Sequence, residues 1–148
     1  MPDDPTAALQ RLLDVEEIRQ LKARYFRLMD TKDWDGFAAC FTADAVMDAD
    51  GYVGEGRDEI VAFLRRVLDG VVTTHHGHTP EITITGPDTA TGVWAMFDYL
   101  TFPGDPAPGF RGYGHYHEHY VREPGGWRIR HVTLTRLRVD PFDGAGPG

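Results

Sequence analysis

The stretch Tyr25-Phe26-Arg27-Leu28-Met29-Asp30-Thr31-Lys32-Asp33-Trp34-Asp35 decides how this chain reads. Upstream, Leu9, Leu12, Leu13, Ile18, Leu21, Tyr25 and Leu28 recur at steps of three and four, an apolar stripe on one long helix. Thr31-Lys32-Asp33 interrupts the stripe, and a short second helix is expected from about Trp34 to Phe41, capped by Asp30 or Asp33. The stretch therefore sets a carboxylate at the tip of an amphipathic helix. Thr74-His75-His76-Gly77-His78 follows further on. An acid and a histidine brought together in an apolar pocket can move a proton on and off carbon near neutral pH.

Ala45-Val46-Met47-Asp48-Ala49 reads as a strand, with turns at Gly51 and Gly54-Glu55-Gly56. A third helix is expected from about Asp58 to Leu68, with Ile60, Phe63, Leu64 and Val67 on one side. After Gly70 the texture turns β-branched and aromatic, predicting strands over about 71–85, 90–102, 111–122 and 127–139. Their short connections imply antiparallel neighbours. The order is α+β: three helices and a short strand, then four long strands that must curl into a cone over the helices. The mouth of such a cone is a natural pocket.

The chain has 148 residues, which suits one domain, with a core over about 9–139 and frayed ends at 1–6 and 141–148. A formal charge of -8 argues against nucleic acid, and Arg128, Arg130, Arg136 and Arg138 read as one solvated strand face. Cys40 is the only cysteine, so no internal disulfide forms. No apolar run is long enough to span a bilayer and the acidic start lacks a signal-peptide core, so a cytoplasmic protein is expected. The glycine clusters lack the strand–turn–helix setting of a phosphate loop.

This order of elements, with these residues, resembles the NTF2-like superfamily, and within it the SnoaL-like group that contains scytalone dehydratase and the bile-acid 7α-dehydratases. The likeness is carried by the Met29–Asp35 run, Thr74-His75-His76 opening a long strand, Gly86-Pro87-Asp88-Thr89-Ala90, and Tyr120-Val121-Arg122 with Gly125-Gly126-Trp127-Arg128-Ile129. The superfamily holds dehydratases, isomerases, polyketide cyclases, epoxide hydrolases and proteins without catalysis. The resemblance implies an Asp at Asp30 and a His at His75 as the working pair. Its bile-acid members also imply a Tyr at Tyr25. The scytalone dehydratase pattern departs at Met29, Leu100, Gly114 and Tyr116, so the same substrate is not expected.

Each candidate has a plain structural alternative. Asp30 is a partner for a histidine ring or a helix cap. Adjacent strand residues face opposite ways, so only one of His75 and His76 serves a given pocket. Family spacing back from Ile82 favours His75, alternation from Ile82 and Ile84 favours His76, and a bulge at Gly77 would reconcile them; His75 is the choice made. Tyr25 is a hydrogen-bond donor to substrate oxygen or a core aromatic. On an ideal helix it lies roughly 140° from Asp30, so the helix must unwind or the pocket must wrap around its end.

Phe26, His76, Trp94, Tyr99 and Tyr116 complete the expected substrate-contacting set. His115, His117 and His119 share one strand face, which points outward if Tyr116 points in, and no metal is assigned to them. The resulting expectation is a cofactor-independent lyase or isomerase, dehydratase-like, acting on a small, largely apolar oxygenated molecule. The alternative is a polyketide-cyclase-like or non-catalytic binding domain. An epoxide hydrolase would need paired Asp residues around an Arg, and no such spacing stands out. Apolar residues on both faces of the Val93–Tyr99 strand suggest a homodimer or homotrimer.

Overall fold

In the computed structural model, residues 4–144 are described. Helix α1 spans Pro5–Asp30, α2 Trp34–Ala38 and α3 Arg57–Leu68; strands are β1 Phe41–Ala49, β2 Tyr52–Glu55, β3 Val72–Gly86, β4 Thr89–Thr101, β5 Ala107–Glu123 and β6 Gly126–Gly144. The helices pack on a six-stranded sheet of order β2-β1-β6-β5-β4-β3. This is the expected α+β architecture, with two differences. The sheet is mixed, because β1 runs parallel to β6. The Gly51 turn also closes a hairpin, with β2 pairing antiparallel to β1.

The ends are more ordered than their Pro/Gly/Asp composition suggests. Asp4 caps α1 by accepting from the Thr6 N–H, so 5–6 are helical. Residues 141–144 continue β6 opposite 107–110 of β5. The remainder of both expected tails, 1–3 and 145–148, lies outside the described residues.

The apolar stripe of α1 is buried only in its second half. Ile18, Leu21, Tyr25, Phe26, Leu28 and Met29 enter the core, whereas Leu9, Leu12 and Leu13 are 57%, 68% and 50% exposed. The first half of the helix meets the sheet through Asp14 instead, which accepts from Trp127 Nε1 and pairs with Arg122. Asp33, not Asp30, caps α2, accepting from the Gly36 N–H. Lys32 takes φ 61°, the left-handed turn that joins the two helices.

Side-chain direction along β3 is set by a bulge. His75 pairs with Asp98 and Ile82 with Gly92, on the concave face in both cases. The register shifts between His78 and Glu81, where Thr79 has φ 31°, so the reconciling bulge is at Thr79–Pro80 and not at Gly77. Gly77 does something else: a Cβ there would lie 2.6 Å from the Phe26 ring, so its bareness lets α1 approach the strand.

Every other histidine, namely His76, His78, His115, His117, His119 and His131, falls on the convex face by register. No helix among the described residues is long and apolar enough to cross a membrane.

Candidate active site

The concave face and the helices enclose a cavity of about 290 Å³. That is near the lower end of ordinary small-molecule pockets, roughly 300–1,000 Å³. Met29 on α1, Met47 on β1, Leu64 on α3, Leu100 on β4, Phe102 just after it and Phe110 on β5 are among its apolar lining. Polar atoms enter at two places. One group comprises His75, Tyr25, Tyr52 and Tyr116, and the other Asp98, Arg136 and Asp50; the two adjoin where His75 of β3 lies opposite Asp98 of β4.

Asp30 ends α1 and touches His75 twice. Its Oδ2 accepts from the His75 backbone N–H at 2.8 Å, and its Oδ1 lies 2.7 Å from His75 Nδ1. Thr73 Oγ1 donates to the same Oδ1 at 2.9 Å, and Lys32 Nζ donates to Thr73 Oγ1 at 2.8 Å. These donors offset the unfavourable dipole of a carboxylate at a helix C-terminus. With Nδ1 facing a carboxylate, the consistent tautomer carries its proton there and leaves Nε2 free as a base.

The angular conflict between Tyr25 and Asp30 dissolves without any unwinding. Tyr25 lines the cavity, while Asp30 is not part of the lining and supports His75 from behind. The helix therefore reaches the cavity with Tyr25 and the His75 ring with Asp30.

Tyr25 and Tyr116 meet edge to face, with ring centroids 6.1 Å apart. Burial pushes the Tyr25 phenol well above its ordinary pKa, and the neighbouring Tyr116 and Glu118 add to that. Burial, then Asp98 and Glu118, do the same to Tyr116. Both hydroxyls therefore stay protonated as hydrogen-bond donors. Tyr52 stacks on Phe63 at 3.5 Å, and its buried hydroxyl has no hydrogen-bond partner among the described residues.

Four of the expected contact residues sit elsewhere. Phe26, His76 and Trp94 line a separate outer depression beside β3, which His75 also reaches. Trp94 Nε1 donates to the Tyr120 hydroxyl at 2.8 Å, and its ring belongs to the core. Tyr99 stacks on Phe142, 5.2 Å away, and does not line the cavity. Of the five, only Tyr116 is in the wall.

The second polar group was illegible in sequence. Arg136 does not share a solvated strand face with its neighbours. Its Nη1 donates to Asp98 at 2.8 Å, and its Nε and Nη2 donate to Asp50 at 2.9 and 2.8 Å. Burial alone would lower its pKa, but the bonds to both carboxylates hold the guanidinium above its usual value. An Asp–Arg–Asp group thus exists on the cavity wall, although no local spacing suggested one. The register shift between His119 and Tyr120 of β5, opposite Arg130 of β6, reverses parity so that Val132, Leu134 and Arg136 face in, and the later shift between Tyr113 and Gly114 turns Arg138 out again. Arg138 instead pairs with Asp140, and Arg130 with Asp44. Among the described residues, no group of three or more His, Cys, Asp or Glu is placed to hold a metal ion.

A family model described as the SnoaL-like domain matches residues 10–133. The chain belongs to the SnoaL-like family. An uncharacterised Mycobacterium tuberculosis protein, Rv2910c, is 30% identical over 137 residues, covering 90% of this chain and 92% of its own. The solved structure of a substituted form of Rv3472, a M. tuberculosis protein of unknown function, is 26% identical with TM-score 0.76, covering 93% and 79% of the two chains.

Two further folds match closely at lower identity. One is a Novosphingobium aromaticivorans protein named for scytalone dehydratase, with TM-score 0.82 and 19% identity over 93% and 95% of the chains. The other is the hexachlorocyclohexane dehydrochlorinase LinA-type3 of Novosphingobium barchaimii, with TM-score 0.81 and 17% identity over 93% and 96%. At such identity they speak to this NTF2-like fold alone.

Proposed function

We propose that the chain is a cofactor-independent lyase or isomerase of dehydratase type, acting on a small, largely apolar oxygenated molecule. The observation that supports this best is the Asp30–His75 contact at the wall of a greasy cavity that also presents two phenol donors. His75 Nε2 takes a proton from carbon next to a carbonyl, and the bonding pair moves into an enolate. Asp30 holds the ring and stabilises the imidazolium. Tyr25 or Tyr116 hydrogen-bonds the enolate oxygen. The protonated His75 then donates to a β-hydroxyl, which leaves as water while the enolate electrons form the new double bond. Without a leaving group the proton returns at another carbon, giving isomerisation, or the enolate carbon attacks a second carbonyl of the substrate, whose oxygen takes the proton from His75, giving ring closure.

The test is a panel of neutral β-hydroxy ketones in deuterated water. Loss of the α-proton signal and growth of enone absorbance are the expected results in the wild-type chain. Ligand binding without either exchange or product would reject catalysis in favour of a binding domain. The LinA and scytalone-dehydratase names borne by fold neighbours agree with elimination chemistry.

The Asp50–Arg136–Asp98 group favours a second reading, addition of water to an epoxide. One carboxylate would take a proton from water, whose oxygen attacks an epoxide carbon. The other, protonated, would give its proton to the oxygen as the C–O bond breaks. Incorporation of ¹⁸O from labelled water into a diol, lost in Asp98→Asn, would support it.

The working unit under this proposal is a homodimer or homotrimer in the cytoplasm, joined through the convex sheet face. Sedimentation velocity decides the assembly.

A further inference from the structure

Lys22 lies on α1 one turn before Tyr25 and has no exposed surface. Its ammonium pairs with Glu118 of β5, which is equally sealed. A buried ion pair of this kind is costly to desolvate and is weak support for stability as such. Its surroundings suggest what it does. Glu118 accepts from Lys22 through one oxygen and from the Tyr120 hydroxyl through the other, the demand a full carboxylate meets. Tyr120 in turn accepts from Trp94. Three ring faces surround the rest of the ammonium: the centroids of Tyr25, Tyr116 and Phe26 are 3.7, 3.8 and 4.7 Å from Nζ. Neither Lys22 nor Glu118 lines the cavity, whereas Tyr25 and Tyr116 both do. The charge therefore stands directly behind two phenols of the cavity wall.

We propose that Lys22 is a positioning residue: with Glu118 as its counterion, it clamps the faces of Tyr25 and Tyr116 and makes their hydroxyls stronger donors to an oxygen that becomes negative in the cavity. The inference rests on the enolate reading of this site. Its physical basis is the attraction of an ammonium for an aromatic face, which is strong when both are removed from water. Withdrawal of electron density through the ring polarises the O–H bond outward. Glu118, two residues further along β5 than Tyr116, makes the pair a dipole whose positive end faces the rings.

The test needs no substrate. The probe is 4-nitrophenolate, an anionic oxygen on a flat ring, set against 4-nitrotoluene, its neutral counterpart. The measured quantity is the ratio of their affinities. In Lys22→Met with Glu118→Gln, which removes both charges while keeping an acceptor for Tyr120, the ratio is expected to fall roughly tenfold, with 4-nitrotoluene binding held within about twofold. Lys22→Gln with Glu118→Gln repeats the comparison with different packing, and circular dichroism checks that each pair folds. Tyr25→Phe with Tyr116→Phe leaves Lys22 in place and should lower the ratio as far. Adding the Lys22 pair to that background should then do nothing more.

An unchanged ratio in a folded charge-free pair, or in the Phe pair, overturns the proposal. So does a further fall in the combined variant, since the ammonium would then act on the ligand directly. The outcome separates from that of the catalytic reading. A tenfold fall in the ratio alongside full turnover in Asp30→Ala would reject the Asp30–His75 chemistry and leave the role of Lys22 standing.

Discussion

Asp30 grips His75 at both its backbone and its ring: Oδ2 accepts the backbone N–H at 2.8 Å while Oδ1 meets Nδ1 at 2.7 Å. The first contact ties the tip of α1 to β3, and the second sets the tautomer. One carboxylate thus joins two elements and orients a ring at once. An Asp30→Asn variant keeps the shape but offers Nδ1 a neutral partner. Its turnover, and that of His75→Ala, should drop roughly 10²–10⁴-fold. Steady-state kinetics on the first active ketone found will show this, and unchanged rates in both variants would remove the dyad from the mechanism.

Arg136 sits between two carboxylates, and Asp98 beside it is only 2% exposed. Arg136→Met would strand Asp98 as an unpaired buried charge, at a cost of roughly 3–5 kcal/mol. Asp98→Asn in the same chain should restore much of the loss. Urea midpoints of the two variants carry the comparison; equal midpoints would mean that Asp98 is not held by this pair.

Asp14 links α1 to the last hairpin. Burial alone would raise its carboxyl, but bonds from Arg122, Gln10 and Trp127 outweigh that and hold it below its usual 3.8. A group depressed on folding adds stability above its unfolded value and loses it as pH falls through the folded one. Asp14→Asn should therefore be less stable than wild type at pH 7, by roughly 2 kcal/mol. The gap should close on acidification below the ordinary carboxylate range. Thermal melts at neutral and acid pH test the sign, and a gap that widens in acid would contradict it.

Gly77 lets the Phe26 ring lie against β3. A Cβ there would meet Phe26 at 2.6 Å and Trp94 at 3.1 Å. Phe26 is itself wedged against Tyr25 and Tyr116 and cannot simply turn away. Gly77→Ala should destabilise the chain by roughly 1–3 kcal/mol, as overpacking does. It should also slow turnover by prising Asp30 from His75. Normal stability with normal activity would show that the approach of α1 is not set here.

Much of this was written in local pattern. The three- and four-step stripe of α1, the break at Thr31–Asp33 and the β-branched second half give the elements, because backbone periodicity acts over a few residues. Asp30 and His75 could be singled out for the same reason: each stands beside a readable boundary, a helix end and a strand start. The sequence alone could not say that Leu9, Leu12 and Leu13 stay exposed, since burial depends on what lies opposite.

Only the tertiary structure decided the rest. The bulge at Thr79–Pro80 reverses strand parity and turns His75 inward. The register shift at Arg130, opposite His119 and Tyr120, turns Arg136 to the same side as Asp98 and Asp50, residues far from it in the chain. Lys22 is sealed from solvent only because Glu118 meets it from β5. A one-residue change in register moves every side chain beyond it to the other face, and nothing local records which pairing wins. Sequence thus determined which groups the chain owns; the curvature and register of the sheet determined which of them meet.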